Sequence, residues 1–171
     1  MVLGMSLQTF TLIHVIISLA AIASGILVLY GLLTSKRLDG WTAVFLVATA
    51  LTSLTGFLFP FMGMTPAIKL GIISLVVLAI TIVTRYPLHL AWRKTYVITA
   101  CALLYFNVFV LVVQSFEKVP QLKAIAPTQK EPPFEVAQIF VLALFLVLTT
   151  LAVKRFRVEG MTVTKSSANV A

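Results

Sequence analysis

The chain reads as an all-α integral membrane bundle of five transmembrane helices, with its N-terminus outside and its C-terminus in the cytoplasm. Three observations predict this. Of 171 residues, 60% are hydrophobic and only 11% are charged, whereas soluble domains average ~45–50% and ~25%. The apolar residues fall in long charge-free stretches. The basic residues between those stretches divide unevenly, nine on one side and four on the other. With 13 Lys and Arg and 5 Asp and Glu, the chain has too few charged side chains to clothe a soluble domain of this length.

The charge-free stretches are 1–35, 40–68, 70–84, 95–116 and 136–153. A hydrocarbon core of ~30 Å needs about 20 helical residues, with ~17 to 25 tolerated. Four stretches meet that length unaided, and the third does so if its helix starts at Ala67 and Lys69 snorkels its ammonium to the headgroups. The expected spans are therefore about 8–33, 41–59, 67–84, 95–116 and 136–153. Buried strands run to only ~4 to 8 residues, and no regular alternation marks these segments.

The first span could be mistaken for a signal peptide because Ala21, Ala23 and Ser24 offer a small-residue cleavage pattern. The first eight residues carry no Lys or Arg, however, and the apolar stretch runs on to Leu33, so retention is expected. Pro60, Gly63 and Pro66 separate the second and third spans, Pro87 follows the third, and Pro120, Pro127, Pro132 and Pro133 lie between the fourth and fifth. A backbone without water must satisfy its own hydrogen bonds, so helices free of proline and flanked by it suit a bilayer. Together 1–158 form one transmembrane helical domain. The connection 117–135 mixes Lys with Glu and contains four prolines, which argues for an extended outer segment, either a lid or a linker. The tail 159–171 is expected to be disordered.

Lys36, Arg37, Arg85, Arg93, Lys94, Lys154, Arg155, Arg157 and Lys165 lie on one side, while Lys69, Lys118, Lys123 and Lys130 lie on the other. The positive-inside rule puts the larger set in the cytoplasm. Trp41, Trp92, Tyr30, Tyr86 and Tyr96 fall at the same interface, where amphipathic rings are favoured. The net charge of +8 is then explained by anchoring and by anionic headgroups. The expected partners are the lipid bilayer and a homo-oligomer or membrane-protein partner, with no nucleic acid.

Small and hydroxylic residues should line helix contacts in lipid. His14, Ser18, Ala21 and Gly25 share one face of the first span, and Thr49, Thr52, Ser53 and Gly56 share a face of the second. The stronger polar residues gather toward the outer end: His14, Lys69, Asn107, Gln114, Glu135 and Gln138. A carboxylate, an ammonium, an imidazole and amides at one level are candidates to line a ligand-binding cavity, because polar groups there need partners. The plainer alternative has Lys69 and Glu135 snorkelling to water and His14 bonding a neighbouring carbonyl. His14 and His89 lie at different depths, which disfavours a haem held by both within one chain, and no cofactor or metal is expected. Cys101 is the lone cysteine and reads as a small packing residue. No phosphate loop, paired-histidine metal spacing or nucleophile elbow is present, so no catalytic residue is assigned.

The stretches LTGFLFPFMGMTPAIKLGIISL (54–75), YFNVFVLVVQSFEKVP (105–120) and APTQKEPPFEVAQ (126–138) resemble a family of small, uncharacterised multi-pass proteins of bacterial inner membranes. The resemblance implies a bacterial plasma membrane and carries no activity or site residues. Three functions stay open: a non-enzymatic accessory, scaffolding or ligand-sensing component; a subunit of a small-molecule transporter or channel; and a quinone- or haem-binding redox protein.

Overall fold

Six helices and no strand make up the described residues of this computed structural model, which are 4–60, 63 and 66–157. The helices are α1 (Leu7–Leu33), α2 (Asp39–Gly56), α3 (Pro66–Arg85), α4 (Arg93–Lys118), α5 (Pro120–Ile125) and α6 (Pro132–Arg155). Helices α1, α3, α4 and α6 are long and apolar enough to cross a membrane, the mark of a membrane protein. The 18-residue α2 opens with Asp39 and is rich in Thr and Ser, so it falls short of the other four in apolar character. The tail 159–171 lies outside the described residues.

Local chemistry accounts for the helix boundaries. Ser6 caps α1, its hydroxyl accepting from the Thr9 amide at 3.1 Å. Helix α2 has no side-chain cap, but Asp39 in its first turn places a carboxylate where the helix dipole favours one. Pro132 and Pro133 open α6, at positions where a missing N–H leaves nothing unpaired. Helix α6 therefore starts one turn earlier than the expected span 136–153. The connection before it is also not the extended segment expected from its prolines. Pro120 sits in the first turn of the six-residue α5, where its fixed φ suits a helix start, so the residue read as a breaker acts as an initiator.

Contacts between neighbours show that the long helices alternate in direction. Gly25 meets Phe45, and His14 meets Thr55, so α1 and α2 are antiparallel. Gly71 packs against Phe57 while Arg85 reaches Asp39, which sets α3 antiparallel to α2. Tyr105 stacks on Phe145, and Tyr96 on Phe156, which sets α6 antiparallel to α4. One end of the bundle thus carries Lys36, Arg37, Arg85 and Arg93. The opposite end carries the starts of α1, α3 and α6 and the finishes of α2 and α4.

Helix α4 is the centre. Tyr96, Val97, Ala100, Cys101, Leu103 and Leu104 are buried at spacings of three and four, so α4 meets neighbours on more than one side. Cys101 is the packing residue expected, part of the core with Phe45, Leu78 and Phe145. Among the described glycines, Gly25 is packed most tightly. A Cβ there would lie 2.6 Å from Leu104 Cδ1 and 2.8 Å from Phe45 Cε2, so the α1 backbone sits directly against both side chains. Dispersion at such contacts holds helices together where lipid removes the usual hydrophobic difference. Helix α6 is the reverse of α4: only Phe145 and Ala152 are buried, while Val136, Ile139, Phe140, Leu146 and Val147 face outward.

Candidate functional site

Alternation of the helices brings His14, Lys69, Asn107, Gln114, Glu135 and Gln138 toward the same end of the bundle, but they divide into two groups. His14, Asn107 and Gln138 are half-buried between helices, whereas Lys69, Gln114 and Glu135 are exposed.

His14 turns toward α2, where its Nδ1 lies 2.8 Å from Thr55 Oγ1. The Thr55 hydroxyl proton is already directed at the Leu51 carbonyl, 2.7 Å away, and the Thr52 carbonyl, 3.2 Å away. Its oxygen is left to accept, so His14 Nδ1 donates in this contact. Phe59 stands edge-on to the imidazole with centroids 5.2 Å apart, and Phe10 packs on Phe59 in turn. This corner joins α1 to the end of α2 through one hydrogen bond and an aromatic cluster.

Asn107 performs a similar tie from α4. Its Nδ2 donates to the Leu103 carbonyl at 2.9 Å and reaches the buried Thr49 Oγ1 at 3.4 Å. Gln138 of α6 donates from Nε2 to the Phe109 carbonyl on α4 at 3.4 Å. Gln129, in the connection before α6, donates to the Val113 carbonyl at 3.1 Å and pins that connection to α4. Two buried oxygens, Thr52 Oγ1 and Gln138 Oε1, have no hydrogen-bond partner among the described residues. The half-buried polar residues therefore cross-link helix pairs.

The connection itself is organised at Glu131, the residue before α6. One carboxylate oxygen accepts from the Thr128 amide at 3.2 Å and the Thr128 hydroxyl at 2.9 Å, and the other accepts from the Lys130 amide at 3.1 Å. Desolvation works against the charged form, yet these hydrogen bonds prevail and hold the Glu131 carboxyl below its ordinary value.

The opposite end holds a second polar cluster that the linear charge pattern did not single out. Arg85, the last residue of α3, is buried, and its guanidinium donates to the Asp39 carboxylate at the start of α2. Its cationic carbon lies 5.0 Å from the Tyr96 ring centroid and 5.9 Å from that of Tyr86, so α4 supplies an aromatic wall. Arg37 approaches the same carboxylate at 3.6 Å from the exposed side. The turn after α3 closes over this cluster with His89 and Leu90 both at positive φ, +44° and +62°. Leu90 is buried beneath it, and that burial offsets the backbone strain. Ser35 completes the end by accepting from the Arg157 amide at 2.8 Å and donating to the Arg157 carbonyl at 3.2 Å.

Two concavities stand out, and none of the six residues lines either. A void of about 10 Å³ lies among Leu32, Lys36, Arg37, Thr42, Arg85 and Tyr96, and is the size of a single water. An open, shallow groove of about 470 Å³ lies over α1 and α2 along Ile16, Ala20, Ala43, Val44, Val47 and Leu51, with no polar side chain in its lining. Most of its wall residues are themselves exposed, so it opens sideways from the bundle. Comparisons of the chain with protein-family models, with curated proteins and with solved structures find no match.

Proposed function

We propose that the chain is a five-span protein of a bacterial inner membrane, N-terminus outside, acting as a non-enzymatic accessory or scaffolding component. Helix α2 is the fifth span. Its 18 residues rise about 27 Å, close to the ~30 Å hydrocarbon core, and Trp41 sits at its basic end where an interfacial ring is favoured. The excess of Lys and Arg at that end supports its cytoplasmic placement. The likeness of 54–75, 105–120 and 126–138 to bacterial inner-membrane proteins supports the compartment.

The observation that carries the accessory role is how little of α6 is buried, only Phe145 and Ala152. Half-buried polar groups, Gln138 of α6 among them, are engaged in joining helices, while Val136, Ile139, Phe140, Leu146 and Val147 give α6 a continuous apolar surface outward. A scaffold needs a rigid interior and a free face, and membrane helices associate through such faces by close packing. Photo-crosslinking from Phe140 or Val147 in the native membrane tests this. One discrete protein adduct is expected, from either a second copy or a partner. Adducts confined to lipid would overturn the scaffolding role.

A further inference from the structure

The void of about 10 Å³ at the basic end lies where four helices, the first connection and the residue after α6 converge. Three charged side chains line it, Lys36, Arg37 and Arg85, and all three are cations. The one carboxylate of the cluster, Asp39, pairs with Arg85 and Arg37 but is not part of the wall. Even with Asp39 counted, three cations against one anion leave the surroundings at a net +2.

Arg85 creates the chemical demand. A guanidinium carries five N–H groups in a fixed fork. Among the described residues its only hydrogen bond runs from Nη2 to Asp39, which leaves Nε and Nη1 without an acceptor. The side chain is buried, so bulk water does not serve those donors. The Tyr96 ring, 5.0 Å from the guanidinium carbon, offers π density rather than a lone pair. Thr42, also in the wall, gives its hydroxyl proton to the Leu38 carbonyl at 2.9 Å and does not compete for an acceptor in the void. Buried donors left unpaired are costly, so the complement of this wall is an acceptor inside the void.

Size and charge select the acceptor. The space takes one particle of about the size of water, which excludes phosphate, sulfate and carboxylate groups. Val28, Leu32 and Phe156, all buried, close the apolar side, and in such low-dielectric surroundings a full negative charge gains more from cations than a water dipole does. Lys36 and Arg37 are exposed, so the remaining side is a flexible, positively charged entrance that gathers anions and yields to one slightly wider than water.

We infer that this void is a binding site for a single halide-sized anion, chloride above all, held by Arg85 from within and by Lys36 and Arg37 at the entrance. The ion ties the basic ends of α1, α2, α3 and α4 to one centre, so folding is linked to its concentration. The site is made within one chain and does not depend on which helices cross the bilayer.

Full-length protein in uncharged detergent micelles, titrated with chloride against gluconate at constant ionic strength, tests the site. The chloride NMR signal should show saturable broadening by the protein, reversed by bromide. In unfolding followed by tryptophan fluorescence, the folding equilibrium constant should rise about tenfold for each tenfold step in chloride above the dissociation constant. Lys36→Gln combined with Arg37→Gln removes the net charge and should weaken chloride binding roughly tenfold, each exposed charge counting about two- to fivefold, while stability in gluconate changes by no more than about threefold. Asp39→Asn acts in the opposite sense: it should weaken the fold in gluconate yet tighten chloride binding about two- to fivefold. A bound water in place of the ion gives the same folding equilibrium in chloride and in gluconate, and that result would overturn the site. So would a chloride response undiminished in the double Gln variant, or one that Asp39→Asn fails to strengthen.

Discussion

Removing the Asp39 carboxylate should destabilise the bundle chiefly through the charge it strands. The Arg85 side chain is 3% exposed and Asp39 65% exposed, so the pair is half in protein and half in solvent. Breaking a fully buried pair costs about 3–5 kcal/mol, and exposed pairs contribute about 0.2–1 kcal/mol. For Asp39→Ala an intermediate loss of about 2 kcal/mol follows, roughly 30-fold in the folding equilibrium. Asp39→Asn keeps a neutral acceptor, so its loss is nearer 1 kcal/mol. Arg37 contacts the same carboxylate at 3.6 Å from solvent, and Arg37→Gln should cost less than about 0.5 kcal/mol. The informative variant is the double one, Asp39→Ala with Arg85→Met. It leaves no stranded cation and fills the space beside Tyr96, so it should be more stable than the sum of the single losses by about 1–2 kcal/mol. Equilibrium unfolding in mixed micelles, followed by Trp41 and Trp92 fluorescence, measures all four together with the single Arg85→Met that the sum requires. Strict additivity, or an Asp39→Ala loss below about 0.3 kcal/mol, would refute the account of Arg85 as a buried cation dependent on its partner.

Gly25→Val should lose about 1–3 kcal/mol, because its Cβ would stand 2.6 Å from Leu104 and 2.8 Å from Phe45; the same unfolding assay reports it, with Gly40→Ala as the harmless counterpart. A double-mutant cycle of His14→Ala and Thr55→Val should return a coupling near 0.6 kcal/mol and no more than about 1.7 kcal/mol, the range of hydrogen bonds between membrane helices; zero coupling would remove the tie. The Glu131 loop should respond to acid. A carboxyl whose folded value is depressed stabilises above its unfolded value and loses that effect as pH falls through the folded one. Exchange at the Thr128 and Lys130 amides should therefore stay slow at neutral pH and speed up only below the ordinary value of 4.5, beyond the intrinsic pH dependence of exchange, and Glu131→Gln should remove that excess.

The helices were legible in the sequence because two simple quantities decide them: the length of charge-free stretches and the positions of proline. The faces were legible too. Ala21 and Gly25 are buried where their spacing put them, as is Thr49 on α2. The exposed Gln114 shows where spacing stops sufficing. It lies seven residues from Asn107 and so shares its face, but α2 ends at Gly56, seven residues beyond the Thr49 that Asn107 reaches. Coverage, which depends on the partner's length, separates two residues that periodicity joins. Proline 120 misled for a related reason: its effect depends on whether it opens a turn or interrupts one, and composition does not distinguish the two.

Arg85 was the least legible. As the first basic residue after an apolar stretch it reads like any interfacial anchor, and only the packing of other helices around it, with Asp39 and Tyr96 against the guanidinium, buries it. One signal was present. Asp39 is the sole acidic residue before Glu117, and it stands at a helix start on the basic side. A lone carboxylate among cations is a pairing candidate, although the sequence does not say which cation it takes.

The central position of α4 bears on how the protein is made. Helices emerge from the ribosome in order, so α1, α2 and α3 are made before the residues they pack around have been synthesised. The α1–α2 hairpin can close at once through Gly25 and Phe45. Leu104 on one side of it and the Tyr96 wall beside Arg85 arrive only with the fourth helix. Until then the Arg85 guanidinium has Asp39 and the adjoining Tyr86 ring but not the nearer ring of Tyr96, and the Ser35 contact with Arg157 awaits the end of α6. A chain stopped after α3 therefore has this polar knot half tied, with the Arg85–Asp39 pair made and the Tyr96 wall still missing.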